Sequence, residues 1–185
     1  MAGSRISKVT TKSGDTGKTK LATGRTVPKH APIIRAIGAV DELNSHLGVL
    51  INHVKPTDAD KLSAIQQQLF DMGAVFAMEG KFQTPSYDAL EADTEAMNAA
   101  LPPLTEFVLP GGGDAAAQAH VSRSVCRRVE IDLWVLVDSL ADDDEEAAAN
   151  FTQCAQYLNR LSDYLFVLAR TYTDASQAQW QGPQA

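Results

Sequence analysis

The sequence predicts an all-α bundle of four or five helices, preceded by a glycine-bearing N-terminal arm. Apolar residues recur at steps of three and four over most of residues 33–172. No strand-like alternation of useful length and no internal repeat occur. A chain of 185 residues, 44% of them hydrophobic, is long enough to fold as one domain without a disulfide or a metal.

Charge and hydropathy exclude several classes of protein. The chain has 16 Lys and Arg residues against 23 Asp and Glu, a net charge of −7, which argues against nucleic acid as a partner. It has no apolar run long enough to span a membrane, and residues 1–12 resemble no secretory or organelle leader, so we expect a cytoplasmic protein. Cys126 and Cys154 lie in apolar helical stretches and are expected to be buried thiols.

Two helices are predicted between residues 33 and 80. The first, over 33–54, and the second, capped by Thr57 or Asp58 and ending near Gly80, each carry one apolar face. The predicted faces are Ile33, Ile37, Val40, Leu43, Leu47, Leu50 and Val54 in the first helix, and Leu62, Ile65, Leu69, Met72 and Phe76 in the second.

Three further helices are predicted after Gly80. A weaker one opens at Pro85 or Ser86 and ends at residue 101, because two prolines follow. A short extended piece and the Pro110–Gly113 stretch precede a fourth helix to about residue 140, capped by Asp114, and a fifth covers 145–172. The predicted faces are Val121, Val125, Val129, Leu133, Leu136 and Leu140 in the fourth helix, and Phe151, Ala155, Leu158, Leu161, Leu165 and Leu168 in the fifth.

The N-terminal arm contains a phosphate-binding pattern that is not a P-loop. Gly17-Lys18-Thr19 suggests one, but Lys12 stands where the first glycine of that motif belongs, and no buried strand precedes it. Gly14 and Gly17 would still let backbone N–H groups converge on an anion. A disordered basic tail accounts for this pattern equally well.

Polar residues also form groups on the predicted helices. Arg123, Arg127 and Glu130 share one face of the fourth helix, which favours either an anionic ligand or surface ion pairs. On the fifth helix a polar stripe beside the apolar one indicates either a cleft or an ordinary surface. That stripe consists of Asn159, Asp163, Phe166 and Arg170.

The acidic residues of the first helix and the histidines give weaker indications of a binding site. Asp41 lies off the apolar face of the first helix and would either pair with an arginine of another helix or be solvated. Glu42 and His46 are spaced by four, whereas di-iron bundles use Glu-x-x-His pairs, and the four histidines form no ligand cluster with the cysteines. The sequence therefore assigns no metal ligand.

Taken together, the motifs resemble the PduO-type ATP:cob(I)alamin (corrinoid) adenosyltransferases. The resemblance covers nearly the whole chain, and the motifs follow the order found in that family. They are Thr11-Lys12-Ser13-Gly14-Asp15-Thr16-Gly17, Gly24-Arg25 with Val27 and Lys29, Val40-Asp41-Glu42-Leu43-Asn44-Ser45, Phe107-Val108-Leu109-Pro110-Gly111-Gly112, Arg123 with Cys126-Arg127-Arg128-Val129-Glu130, and Tyr157-Leu158-Asn159-Arg160-Leu161-Ser162-Asp163.

The resemblance implies a single domain over residues 1–185. Within it, residues 1–32 would form a phosphate-binding arm, 33–173 a five-helix bundle with ferritin-like up-down packing, and 174–185 a loose tail. It also implies a homotrimer that holds ATP, with Mg²⁺, at the subunit interface.

The resemblance assigns residues to both substrates. It implies an ion pair between Asp41 and Arg123 across the interface, which shapes the cobalamin site, and a catalytic role for Arg127. Phe107 and Phe166 match the aromatic residues that face cobalamin. The implied ATP-binding residues are Thr11, Lys12, Ser13, Gly14, Thr19, Lys20, Lys29, Arg127, Arg128, Glu130 and Asn159.

The implied reaction transfers the 5′-deoxyadenosyl group of ATP to cob(I)alamin, releasing triphosphate and forming adenosylcobalamin. The alternative is a non-catalytic carrier or sensor that binds cobalamin or ATP and delivers the cofactor to a partner enzyme. A pure carrier could lose Lys29 or Arg127, and this chain keeps both. Expected protein partners are a cobalamin reductase and an adenosylcobalamin-dependent mutase or dehydratase.

Overall fold

The computed structural model describes residues 10, 12, 14–140, 144–173 and 178–182. It consists of five α-helices and one small antiparallel sheet, so the predicted all-α, five-helix bundle is confirmed. In chain order the elements are β1 (Lys18–Lys20), β2 (Thr26–Pro28), α1 (Pro32–Ile51), α2 (Pro56–Ala77), α3 (Asp88–Ala99), α4 (Asp114–Asp138) and α5 (Glu145–Thr171).

Helices α4 and α5 form the centre of the bundle. Helix α1 packs on α4 and α2, and α3 covers α5. The rings of Phe76 and Phe151 meet edge to face with centroids 5.6 Å apart, and Tyr157 and Tyr164 are fully buried. Every residue of the apolar face predicted for the fifth helix is buried, so that prediction is confirmed.

The helix ends differ from the predicted ones in their capping. Lys55 precedes α2 without a side-chain cap, while the Asp58 carboxylate accepts a hydrogen bond from the Tyr172 hydroxyl. The prediction that Thr57 or Asp58 caps this helix is therefore wrong. Helix α4 likewise begins after Gly113 (φ +100°), with Asp114 as its first residue and not its cap.

The buried face of α4 is also displaced from the predicted one in the first half of the helix. Val121 is 44% exposed and Val125 only partly buried, so the prediction is wrong at these positions. It holds for Val129, Leu133 and Leu136, whereas Leu140 lies beyond the helix and is only partly buried. Small residues take the place of the two valines, which lets α4 approach its neighbours closely. The buried residues of this half are Ala115, Ala116, Ala119, His120, Ser122 and Cys126.

The arm is more ordered than the sequence predicts from residue 18 onward. Strands β1 and β2 pair with Thr19 opposite Val27, and Leu21 and Val27 are both buried. The Ala22 N–H donates to the Ala77 carbonyl at the end of α2 (3.0 Å). Two buried apolar side chains thus attach the arm to one end of the bundle.

Residues 178–182 are the described part of the C-terminal tail. Gln179 forms a β-bridge with Val108, and the Trp180 N–H donates to the Phe107 carbonyl (2.8 Å). Residues 178–182 therefore lie along the segment that carries Phe107. The acidic positions 142 and 143 lie outside the described residues; Asp144 caps α5 by accepting from the Ala147 N–H at 3.4 Å.

Both cysteines are free, buried thiols, as predicted. Burial raises the pKa of Cys154 to about 12 and that of Cys126 well above its ordinary value. The Cys126 thiol donates to the Leu158 carbonyl between α4 and α5 (3.1 Å). Over the described part of the chain, no helix has the combination of length and hydropathy that a bilayer crossing requires.

Candidate active site

A cavity of about 640 Å³ opens between the segment before α4 and the facing sides of α4 and α5. Arg123 lies over the ring of Phe166, 5.3 Å from its centroid, and the His120 ring meets the same phenyl edge to face at 6.2 Å. The wall thus combines aromatic surface with one cation. The lining residues are Leu104, Thr105, Glu106, Phe107, Val108, Pro110, His120, Arg123 and Phe166.

Phe107 stands at the rim of this cavity. Its side chain is 75% exposed and touches the Trp180 ring edge to face, with centroids 6.1 Å apart. Its N–H donates to the Glu106 carboxylate (2.7 Å). A large aromatic ring left this exposed contributes little to the core, and its position at the rim leaves it free to contact a ligand in the cavity.

Arg123 is the cation of the cavity lining, which also contains the Glu106 carboxylate. Burial and the neighbouring Arg127 lower the pKa of Arg123, and Asp163 opposes that effect. Burial and Arg123 also lower the pKa of His120, which is therefore neutral at pH 7, with no partner for its Nε2 among the described residues. Sequence reasoning missed His120, although it stands one helical turn before Arg123.

Two of the residues predicted to bind the nucleotide lie together on α4 and α5. The Asn159 amide donates to Glu130 at 3.4 Å, and the Asn159 oxygen accepts from Arg160 at 2.8 Å. Arg160 is paired in turn with Glu91 of α3 at 2.6 Å. The structure therefore brings Glu130 and Asn159 together, with Arg160 fixing the amide orientation.

The two adjacent arginines of α4 have different environments. Arg128 is paired with Glu42 of α1 at 2.5 Å, so its charge is already partly balanced inside one chain. Arg127 is exposed on the neighbouring face. Asp41 is exposed on α1, and among the described residues no ion pair joins it to Arg123.

The arm forms a second group of cationic residues. Lys29 lies directly against Gly14, since a Cβ on Gly14 would come within 2.6 Å of the Lys29 ammonium. The turn from Gly14 is closed by the Gly17 N–H donating to the Gly14 carbonyl (3.2 Å), and the Lys29 N–H donates to Gly17 (2.9 Å). The absence of a side chain at Gly14 thus gives the ammonium its place.

The other residues predicted for the arm are placed less fully. Lys12 has a positive φ of +58°, Thr19 is partly buried in β1, and Lys20 is exposed. Thr11 and Ser13 lie outside the described residues. Within the described ranges, no hydrogen bond or ion pair joins the arm to the polar group on α4 and α5. One chain therefore presents the predicted nucleotide residues as two separate groups.

The described residues contain no cluster of side chains suited to bind a metal ion. In the part of the chain that the structure describes, no three His, Cys, Asp or Glu side chains lie close enough together to hold a metal ion. Glu130 is the carboxylate that belongs to the predicted nucleotide residues on α4.

Comparisons with known proteins identify the family. The family model described as cobalamin adenosyltransferase matches residues 9–172. The chain is 45% identical to a cobalamin adenosyltransferase of Cupriavidus metallidurans over 97% of both chains. It is 38% identical to human corrinoid adenosyltransferase MMAB over 90% of this chain and 69% of the human one.

Solved structures give the same result. A variant PduO-type ATP:corrinoid adenosyltransferase from Lactobacillus reuteri, complexed with cobalamin and ATP, superposes with a TM-score of 0.76. The two sequences are 30% identical, with 88% of this chain and 92% of the other covered. As its motifs predict, the chain therefore belongs to the cobalamin adenosyltransferase family.

Proposed function

We propose that this protein transfers the 5′-deoxyadenosyl group of ATP to a cob(I)alamin-type corrinoid. The cobalt(I) electron pair attacks the ribose 5′ carbon, the cobalt–carbon bond forms, and the bond from that carbon to the phosphate oxygen breaks. Triphosphate leaves with the electron pair of the broken bond. The exposed Phe107, at the rim of a cavity walled by Phe166 and Arg123, is the observation that carries this proposal.

On the nucleotide side, cations stabilise the charge that develops on the leaving triphosphate. Lys12, Lys29 and Arg127 supply them, and the turn at Gly14 offers backbone N–H groups to the phosphates. Each well-placed donor of this kind contributes roughly 10²–10³ in rate. Arg127 is exposed and its planar fork can meet two phosphate oxygens at once.

On the corrinoid side, Phe107 lies beneath the ring and keeps water or the nucleotide base away from the lower axial position of cobalt. Axial ligation is a main control of the reduction potential of a macrocycle-bound metal. An apolar lower face therefore makes cobalt(II) easier to reduce to the attacking cobalt(I). Arg123 fixes the opposite wall through its contact with Phe166.

The complete site forms between subunits of a homotrimer. The separation of the arm residues from the α4–α5 group supports this arrangement, because one chain does not join them. Asp41 borders an apolar groove of about 360 Å³ on α1 and α2, where Phe70 is 66% exposed and suited to subunit packing. Asp41 of one subunit then pairs with Arg123 of its neighbour.

The remaining predicted residues orient the nucleotide. Glu130 and Asn159 hold the ribose or the arginines, and Arg128, Thr11, Ser13, Thr19 and Lys20 complete the nucleotide contacts. Mg²⁺ is bound chiefly through triphosphate oxygens, as is usual for this ion, with Glu130 the nearest protein carboxylate of the group. The two free thiols support a cytoplasmic setting. There a cobalamin reductase supplies electrons, and an adenosylcobalamin-dependent mutase or dehydratase receives the product.

Absorption spectroscopy tests the proposal. The protein is incubated with ATP, magnesium and chemically reduced cobalamin, and formation of the cobalt–carbon bond is followed alongside triphosphate release. We expect both signals in equal amounts, and neither when ATP is omitted. Binding of ATP and cobalamin without a new cobalt–carbon bond would identify a carrier instead.

A further inference from the structure

Arg170 stands out as a buried cation that the proposed chemistry does not use. It lies in the last turn of α5 and is only 8% exposed. Among the described residues it forms no ion pair with a carboxylate. Burying a guanidinium is costly without such a pair, so its hydrogen bonds must account for its position.

Those hydrogen bonds go to the connection between α3 and α4. Arg170 Nη2 donates to the Pro102 carbonyl at 2.5 Å, and Nη1 donates to the Asn98 side-chain oxygen at 3.2 Å. The planar guanidinium thus joins α5 both to the end of α3 and to the first residues of the connection.

The connection has little else to hold it there. Residues 102–105 make no other hydrogen bond within the described part of the chain. Leu104 and Phe107 are both exposed, so burial does not fix their positions. At its other end the connection is held by the backbone contacts of residues 107–109 with residues 178–180.

The same arginine lines a second cavity, of about 570 Å³, that shares Leu104 and Phe166 with the larger one. A shift at Pro102 would therefore move the wall of the larger cavity. Resting on the proposed function, we infer that Arg170 is a positioning residue, which places Leu104 and Phe107 for corrinoid binding through the Pro102 carbonyl.

The test uses Arg170→Met, which keeps most of the apolar stem of the side chain and removes its donors. With ATP present, we expect the four-coordinate fraction of bound cobalt(II) corrinoid to fall and KM for the corrinoid to rise, each about fivefold, which matches the net effect of losing one typical hydrogen bond. ATP affinity should not change. Amide hydrogen exchange at residues 107–109 should accelerate in the corrinoid-free protein.

Two further variants complete the test. Arg170→Lys keeps the charge but not the fork, so we expect intermediate values for the spectrum and the exchange. Lys61→Met removes the exposed 2.7 Å pair between Lys61 and Asp93 of α3 and should behave as wild type. If Arg170→Met does not fold, the spectrum and the hydrogen exchange of Arg170→Lys test the inference in its place.

Wild-type spectrum and exchange in a folded Arg170→Met protein, or in Arg170→Lys, would overturn the inference. A lower melting temperature with both readouts unchanged would show a purely structural role and would overturn it as well. If wild-type protein makes no adenosylated corrinoid, the proposed function fails. The exchange measurement, which needs no corrinoid, still decides whether Arg170 holds the connection.

Discussion

The two sides of the candidate site are held in place in different ways. The polar residues of α4 and α5 stand on a continuous core, in which Cys126, Leu158 and Leu161 are fully buried. Lys29 and Phe107 instead lie on segments attached by a few hydrogen bonds and little apolar burial. The bundle thus fixes the groups proposed to orient the substrates, while the groups proposed to touch them lie where local opening costs least.

The largest expected effect is a loss of stability when a core side chain is truncated. Leu161→Ala removes a fully buried side chain between α5 and its neighbours, so we expect a loss of about 2–5 kcal/mol in the free energy of unfolding. Leu104→Ala, on the exposed connection, is the matched control and should change it by about 0.5 kcal/mol or less. Urea denaturation measures both; similar losses would contradict the comparison.

Deleting residues 1–17 should separate binding from folding. The cut falls before β1, so Leu21 and Val27 keep their buried positions. We expect ATP affinity to fall about 100-fold, or about 2.7 kcal/mol, by calorimetry. The melting temperature should stay within about 2 °C. Unchanged affinity would show that residues 1–17 do not bind phosphate.

Phe107→Ala should impair the reaction without unfolding the protein, because the ring is already exposed. We expect activity to fall about 30-fold, or about 2 kcal/mol, when cobalt(II) must be reduced on the protein. The loss should be smaller when cobalt(I) is supplied. ATP affinity serves as the internal control. Equal losses with both oxidation states would refute the role assigned to Phe107.

Arg127→Lys tests whether the exposed guanidinium acts through its shape. Lysine keeps the charge but loses the fork, so we expect kcat/KM to fall about tenfold, or about 1.4 kcal/mol. Arg35→Lys makes the same change at an exposed arginine of α1 that pairs with Asp132 at 2.9 Å, outside the candidate site. Near-wild-type turnover of the Arg127 variant would show that the guanidinium faces solvent and does not bind phosphate through its planar fork.

The smallest effect should come from pH. The folded-state pKa of His120 is lowered by burial, so the unfolded chain takes up this proton first as pH falls. The stability contributed by neutral His120 is complete above about pH 6.5 and lost as pH falls through the lower folded-state pKa. The melting temperature should drop less between pH 7.5 and pH 5.5 in His120→Phe than in the wild type, by about 3 °C or less. An unchanged slope would contradict this.

Sequence reasoning predicted the helices well where large apolar residues form the core. The face of α5, from Phe151 to Leu168, is periodic and fully buried. On α4 the same reasoning selected Val121 and Val125, but the helix turns alanine, serine and cysteine inward instead. A pattern weighted by side-chain size cannot find an interface whose packing depends on small residues.

Contacts between segments distant in the sequence could not be predicted from local sequence patterns. Strand β1 has three residues, too few for a visible alternation, and the arm is secured by Leu21 and Val27. The contact of Trp180 with Phe107 joins segments more than 70 residues apart. The motifs selected Glu130, Asn159 and Lys29 as nucleotide-binding residues, and these roles stay predictions. The structure adds their contacts: Asn159 with Glu130, and Lys29 with Gly14.

The two buried thiols have a practical consequence for studying the protein. Cys126 and Cys154 are the only cysteines in the chain, and burial keeps both protonated at neutral pH. Maleimide reagents should therefore leave the native protein unlabelled. A single cysteine introduced in place of the exposed Ala96 of α3 would accept one dye per chain, which would report subunit encounters by energy transfer without removal of either native thiol.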